Sequence, residues 1–362
     1  MNNIVTNNKE NILISIVAPV FGVVEYIDDL IKSVTTQWST DIELIIVNDG
    51  STDGTKSLLE SYKKRITSDN FVIANKTNGG LSDARNFGVS ISRGKYIMFL
   101  DGDDLLSKNT LQLIKYCLLE NNPDCLITDF SYYWDDGGTY TNCSYKYIKP
   151  RTLLKYDSDI LKAVYDTRQV YIWRHIFKKE IIQQYPQPVG RNYEDINTTP
   201  LLINKCNTIY YLPIKAILYR QRDNSIMKIK SEKNILDLSS GLIAVKKELE
   251  DLYGKIPDNI AIAHSIFNLY LFTWSCGDTL SNRDLDPLKL HPLFVENFNK
   301  ANIVDLKVLK KIFLKEDKKT WNKFQLFFYN PNLFAKVHKT KHKYYKLYNL
   351  LNKIRKKIYD NI

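Results

Sequence analysis

No stretch of this 362-residue chain reaches the 18 or so consecutive apolar residues that a membrane-spanning helix requires. Its start, MNNIVTNNKENILIS, lacks the charged-then-apolar layout of a signal peptide, so a cytoplasmic location is expected. The five cysteines (Cys117, Cys125, Cys143, Cys206, Cys276) are odd in number, scattered and free of any CxxC pair. That spacing supports neither a disulfide framework nor a zinc site and leaves buried free thiols as the reading. A glycine-rich phosphate loop is missing as well: APVFGVVEY follows the first predicted strand with neither the glycines nor the Lys or Arg that usually open a nucleotidyltransferase. Internal repeats and low-complexity segments are absent.

Acidic residues are scarce only at one end. The net charge is +11, yet from Ala301 onward there are 16 Lys or Arg against 4 Asp or Glu, so the whole excess belongs to the tail. The first 300 residues contain nothing like a nucleic-acid recognition module, and no nucleic-acid partner is expected. Within the tail, Leu347, Leu350, Leu351, Ile354 and Ile358 fall on one helical face, with Lys346, Lys353, Arg355, Lys356 and Lys357 around it. Such a helix suits an anionic inner-membrane surface, or it packs its stripe on preceding helices and leaves the lysines in water.

What is present is an alternation. LISIVAPVF is β-rich, and Val24, Ile27, Leu30, Ile31 and Val34 follow at helical spacing. IELIIVNDGSTDGTKSLLESYKK repeats that unit, with Thr52 or Asp53 as helix cap. NFVIANKTNGGLSDARNFGVSIS and KYIMFLDGDDLLSKNTLQLIKYCLLE give a third and a fourth, the latter with Ser107 as N-cap, and CLITDFSYYW adds a fifth strand. Alternating strands and helices predict an α/β domain with a mainly parallel sheet whose strand-to-helix turns share one edge, where ligands bind. From Ser231 the pattern turns helical, so an α/β domain over residues 1–230 and a helical region over 231–362 are expected.

The fourth unit is unusual. A buried strand, Tyr96–Leu100, runs straight into Asp101, Asp103 and Asp104 around Gly102. Aspartates cap helices and favour turns, and a helix begins nearby. Three carboxylates in a dry crevice nevertheless repel one another unless a cation balances them. A hard divalent cation held by one or two carboxylates and the oxygens of a diphosphate would do so. The neighbouring turns offer Asp49, an acceptor suited to the imide N–H of uracil, with Asp53 close by; the flexible pair Gly79–Gly80 at a helix start; and Arg85, suited to phosphate, to an aspartate, or to both.

SIVAPVF, ELIIVNDGSTDGT, NGGLSDARNFGVSISRGKYIMFLDGDD and a later YED stand in the order and spacing of family 2 glycosyltransferases. The chain resembles these bacterial GT-A-fold enzymes of surface-polysaccharide synthesis over roughly residues 12 to 226, most distinctively in SDARN…FLDGDD. The resemblance implies an inverting transfer from a nucleotide-sugar, with a UDP-sugar favoured, to a saccharide or polyprenyl-diphosphate-linked acceptor. It implies that Pro19, Phe21 and Glu25 line the base and ribose pocket, that Asp49 reads uracil, and that Arg85 sits over the diphosphate. Asp101 then meets ribose or metal, and Asp103 is the principal ligand of Mg or Mn. In RNYEDINTTPLL the acidic pair is Glu194–Asp195, whose second member matches the general base; both acids also suit a helix N-terminus. Trp173 matches an acceptor-side stacking position and equally a core one, Asp104 belongs with the acceptor side, and Arg220 or Arg222 suits phosphate. His175 has no second histidine near it and is read as structural. A non-catalytic nucleotide-sugar-binding subunit and a basic nucleic-acid- or membrane-binding protein are the alternative readings.

Overall fold

The computed structural model describes residues 12–135, 137–141, 145, 147–222, 231–280, 282 and 285–340. The chain divides into two compact units, Met1–Asp223 and Asn224–Ile362.

The first unit opens with three βα pairs: β1 (Ile14–Val20) and α1 (Ile27–Thr35), β2 (Ile42–Asn48) and α2 (Thr55–Arg65), β3 (Phe71–Asn75) and α3 (Leu81–Ile91). β4 (Tyr96–Phe99), the two-residue β5 (Leu105–Leu106) and α4 (Thr110–Asn121) follow, then β6 (Cys125–Tyr133), β7 (Thr139–Tyr140), β8 (Leu153–Lys155) and α5 (Ser158–Thr167). A 3-10 turn (Ile172–Arg174), β9 (His175–Lys178), α6 (Lys179–Ile182), α7 (Glu194–Lys205) and β10 (Thr208–Arg220) complete it. The sheet order is β3-β2-β1-β4-β9-β6-β10-β5, with β7 on β6 and β8 on β10. Every residue of β1 and β2 is buried, as a parallel sheet covered on both faces requires.

Between β3 and β10 of this order, one strand runs against the rest; β5, at the edge, is also antiparallel to its neighbour β10. β9 is antiparallel to both β4 and β6, and β10 is parallel to β6. Two reversals restore direction, so β6 and β10 end at the same edge as β1 to β4. The turn after β4 therefore meets Arg220 at the tip of β10, which also pairs with Asp135 just beyond β6. The sequence alternation showed five strands of this sheet; the four-residue β9 carries too little pattern to be seen.

Two helix starts differ from the sequence reading. α2 begins at Thr55 behind Gly54, whose φ of 96° favours glycine, while Asp53 Oδ1 accepts from Thr55 N at 3.2 Å and Thr55 Oγ1 at 2.7 Å. α4 begins at Thr110 behind Asn109 in the left-handed region, and Ser107 contributes its backbone carbonyl to Thr110 Oγ1 rather than a side-chain cap. Cys117, Cys125, Cys206 and Cys276 are buried free thiols; Cys143 lies outside the described residues.

The second unit is helical: α8 (Glu232–Tyr253), α9 (Asp258–Thr279), α10 (Pro287–Ala301), α11 (Leu306–Glu316) and α12 (Lys318–Tyr329). Its core is aromatic, with Phe272, Phe294, Phe298, Phe324 and Phe327 buried together. Among the described residues no helix is long and apolar enough to cross a membrane. The basic amphipathic stretch from Lys346 onward lies outside the described residues.

Candidate active site

The acidic turn is held from beneath and from the side. Asp104 N donates to Asp101 O at 3.0 Å, closing it. A Cβ on Gly102 would stand 2.9 Å from Pro19 O and 3.0 Å from Val20 Cγ1, so the turn rests on the end of β1. From β10, Arg220 N donates to Asp104 Oδ1 at 2.8 Å and its Nε donates to Asp103 O at 2.8 Å. The same guanidinium pairs with Asp29 and Asp135 and lies 4.8 Å from the centre of the Tyr26 ring. Arg220 is thus a buried clamp on the turn.

The three carboxylates differ in environment. Asp104 is buried, its Oδ2 lacks a partner among the described residues, and burial together with Asp103 and Asp101 pushes its carboxyl well above the ordinary range. Burial also raises Asp103, against the pull of Arg222, whose Nε lies 2.6 Å from Asp103 Oδ2. Asp101 Oδ1 accepts from Arg85 Nη2 at 2.6 Å.

Arg85 links this turn to the acidic pair of α7. It is completely buried; Nη1 donates to Glu194 Oε1 at 2.7 Å and to Gln187 Oε1 at 3.3 Å, and lies 3.6 Å from Asp195 Oδ1. Burial alone would lower its affinity for a proton, but Asp101, Glu194 and Asp195 raise it further, and the guanidinium stays charged. Asp195 is driven well above the usual carboxylate range by burial and by Glu194, with Arg85 opposing, and its Oδ1 has no hydrogen-bond partner among the described residues. The pair opens α7 behind Tyr193, whose φ of 58° places a bulky residue in the left-handed region. Backbone strain of this kind is often found at functional sites.

At the neighbouring turns, Asp49 is 3% exposed. Its Oδ1 accepts from Lys76 Nζ at 2.6 Å and Gly79 N at 2.9 Å, and its Oδ2 from Gly80 N at 2.8 Å. Gly80 has φ 88°, a conformation that favours glycine and lets both amides face one carboxylate. Asp53 braces the fold: besides Thr55, it accepts from Val24 N at 3.0 Å, and these bonds hold its carboxyl below the ordinary value although burial works against them. Pro19 is buried at the end of β1, whereas Phe21 is 55% exposed and Glu25 is exposed just before α1.

Trp173 does not face open space. It is buried, stacked on Tyr171 at 4.9 Å and edge-on to Phe130 at 4.8 Å, which is a packing position. His175 is buried between Tyr171 O, 2.8 Å from Nδ1, and the Tyr145 hydroxyl, 3.2 Å from Nε2; burial and Arg174 push it down to about 3, so it stays neutral.

Lys76, Asp83 and Gln187 escaped the sequence reading. Lys76 pairs with both Asp49 and Asp83. It stands one residue beyond β3, at the same sheet edge as Asp49, so asking which cation balances Asp49 would have found it. Gln187 comes from the loop before α7 and is tied to α3 by its backbone N to Asn86 Oδ1 at 2.9 Å; nothing in its sequence context marks it.

Among the described residues no three His, Cys, Asp or Glu side chains converge as a metal-holding group. Asp101 and Asp103 supply hard oxygen donors and each has one oxygen engaged by an arginine, which suits a cation that completes its shell with phosphate oxygens and water.

A mostly parallel, helix-covered sheet with an acidic turn at its carboxyl edge is the architecture of GT-A glycosyltransferases. The pattern of glycosyl transferase family 2 matches residues 15–180. TuaG of Bacillus subtilis, named for teichuronic acid biosynthesis, is 31% identical over 218 residues, covering 60% of this chain and 82% of TuaG. The chain belongs to this family. The uncharacterized glycosyltransferase EpsJ of the same organism is 30% identical over 222 residues, 60% of this chain and 63% of EpsJ. The cholesterol galactosyltransferase of Borreliella burgdorferi is 24% identical over 89% of this chain and 95% of its own. Staphylococcus aureus TarS 1-349, solved with UDP-GlcNAc, shares the fold at a TM-score of 0.68 and 18% identity over 92% of both chains.

Proposed function

We propose that this protein is an inverting transferase that moves a sugar from a UDP-sugar to a hydroxyl of a saccharide or lipid-linked saccharide during surface-glycan synthesis. The observation that carries the reading is the convergence on Arg85: Asp101 of the acidic turn and the Glu194–Asp195 pair meet one buried guanidinium. In this reading a donor bound at the acidic turn presents its anomeric carbon to an acceptor held beside Asp195.

Asp195 takes the proton of the acceptor hydroxyl. The new C–O bond forms as the bond to the diphosphate oxygen breaks, and UDP leaves with the electron pair. One base suffices, so no covalent nucleophile is required. A divalent cation held by Asp101 and Asp103 would supply charge neutralisation for the departing diphosphate. Arg85 and Glu194 position Asp195, and Arg222, at Asp103, lies where the diphosphate charge collects.

Support for a uridine donor comes from TarS with UDP-GlcNAc, and support for surface-glycan synthesis from the naming of TuaG. The basic tail is assigned to the inner membrane surface, near lipid-linked acceptors.

The test is release of nucleotide diphosphate from UDP, GDP and dTDP sugars, with Mn or Mg and again with EDTA, for wild type, Asp103→Asn and Asp195→Asn. The acceptor panel includes a sterol, since the Borreliella relative is named for one. Turnover of a UDP-sugar that requires metal and both aspartates is expected. Donor binding without turnover, unchanged in Asp195→Asn, would instead favour a non-catalytic binding subunit.

A further inference from the structure

We infer that Lys76 determines which nucleobase the donor site accepts, by occupying one oxygen of Asp49. The inference rests on the reading that Asp49 faces the base.

Asp49 Oδ1 already receives two hydrogen bonds, from Lys76 Nζ at 2.6 Å and Gly79 N at 2.9 Å. A carboxylate oxygen offers about two lone-pair sites, so Oδ1 has none to spare. Among the described residues Oδ2 receives only Gly80 N, at 2.8 Å, which leaves it one site. Asp49 therefore presents a single acceptor.

Lys76 is fixed in this role. Its ammonium carries three protons and meets three oxygens: Asp49 Oδ1, Asp83 Oδ2 and Thr77 O, the last at 2.6 Å. Its side chain is only 16% exposed. The acceptor it consumes is thus unavailable in the resting fold, and no rotation of Lys76 returns it without breaking two other contacts.

The consequence concerns the pattern of donors on the base. Uracil and thymine offer one imide N–H between two carbonyls, which a single acceptor satisfies. Guanine offers two parallel donors, the ring N–H and the exocyclic amine, and a carboxylate reads them with both oxygens. Here the second guanine donor meets an oxygen already saturated and a lysine ammonium beside it, so it is buried unpaired. The fold leaves this choice open: the GDP-Man and Mn2+ complex of the mannosyltransferase PcManGT from Pyrobaculum calidifontis shares it at a TM-score of 0.53 and 15% identity, over 90% of this chain and 86% of that one. The discriminating element must then be local, and Lys76 is a positioning residue that acts through Asp49.

Calorimetric affinities of UDP and GDP, with Mg, are compared for the full chain as wild type, Lys76→Met, Lys76→Arg and Asp49→Ala. Wild type is expected to prefer UDP by about tenfold or more, the penalty of one unpaired buried donor. Lys76→Met frees Oδ1 and cuts that preference by roughly tenfold, mainly because GDP gains; Lys76→Arg, which still donates to Oδ1, restores it. Should Lys76→Met fail to fold, Lys76→Leu, which also lacks a donor, is measured by the same ratio. A preference unchanged in Lys76→Met, with UDP binding lost in Asp49→Ala, overturns the role of Lys76 and leaves Asp49 as the base reader. UDP binding unaffected by Asp49→Ala removes Asp49 from the base and the inference with it.

Discussion

Arg85 Nη2 stands 2.6 Å from Asp101 Oδ1, joining α3 to the turn after β4 deep inside the protein. Through Nη1 the same side chain reaches Glu194, 109 positions away, so the acidic turn and the start of α7 depend on one planar cation. Its fork geometry allows this; a lysine ammonium would reach one of these carboxylates well and the others poorly.

Arg85→Lys is therefore expected to keep the charge and lose the geometry, cutting turnover at least about 100-fold while the fold survives. Arg85→Met leaves buried carboxylates unbalanced and should cost roughly 3–5 kcal/mol of stability. Activity assays paired with denaturant unfolding separate the two. Wild-type turnover by the lysine variant would mean that the fork is not needed.

Gly102 carries a different constraint. Its missing Cβ is what lets the acidic turn lie against Pro19 O and Val20. Gly102→Ala is expected to destabilise the protein by about 1–3 kcal/mol, as overpacking does, and to weaken donor binding beyond that by displacing Asp101 and Asp103. Thermal unfolding and nucleotide titration of the one variant measure both. An alanine variant as stable as wild type would show that the backbone yields freely there.

Much of the donor-side edge was legible because local patterns encode it. Strands such as Ile14–Val20 and Ile42–Asn48 are continuous apolar runs, and the polar turns that follow must share an edge once the strands are parallel. The rest depended on long-range contacts that no local pattern carries. β9 reverses direction in four residues, Arg220 meets Asp103 and Asp104 across more than a hundred positions, and Trp173 reads equally as a platform or as packing until its neighbours are known. The direction of β10, and with it the clamp on the acidic turn, followed only from the antiparallel strand inserted beside β4.

The basic tail gives a prediction independent of the catalytic unit. Deleting residues from about Lys336 onward should lower binding to vesicles rich in anionic lipid while sparing turnover on a soluble acceptor, because lysines near such a surface each contribute on the order of 1 kcal/mol. Vesicle sedimentation across a salt series reads this directly. Equal sedimentation of the truncated and full chains would assign those lysines to solvent.

The last prediction concerns pH. Burial and the negative charge of Glu194 raise the proton affinity of Asp195 well above that of an ordinary carboxylate, against the pull of Arg85. A base must be deprotonated to act, so turnover should fall as pH drops through this raised value, and the acid limb of kcat should lie well above pH 4. Glu194→Gln removes a negative neighbour and leaves Arg85 to act more strongly on Asp195, so both changes lower its pKa. The acid limb then moves to lower pH even if the plateau rate declines, since a weaker base is also a less effective one. Asp195→Asn should abolish the limb along with about 100- to 10,000-fold of kcat, with the affinity for donor nucleotide nearly unchanged. A Glu194→Gln profile displaced to higher pH would assign the titrating group elsewhere.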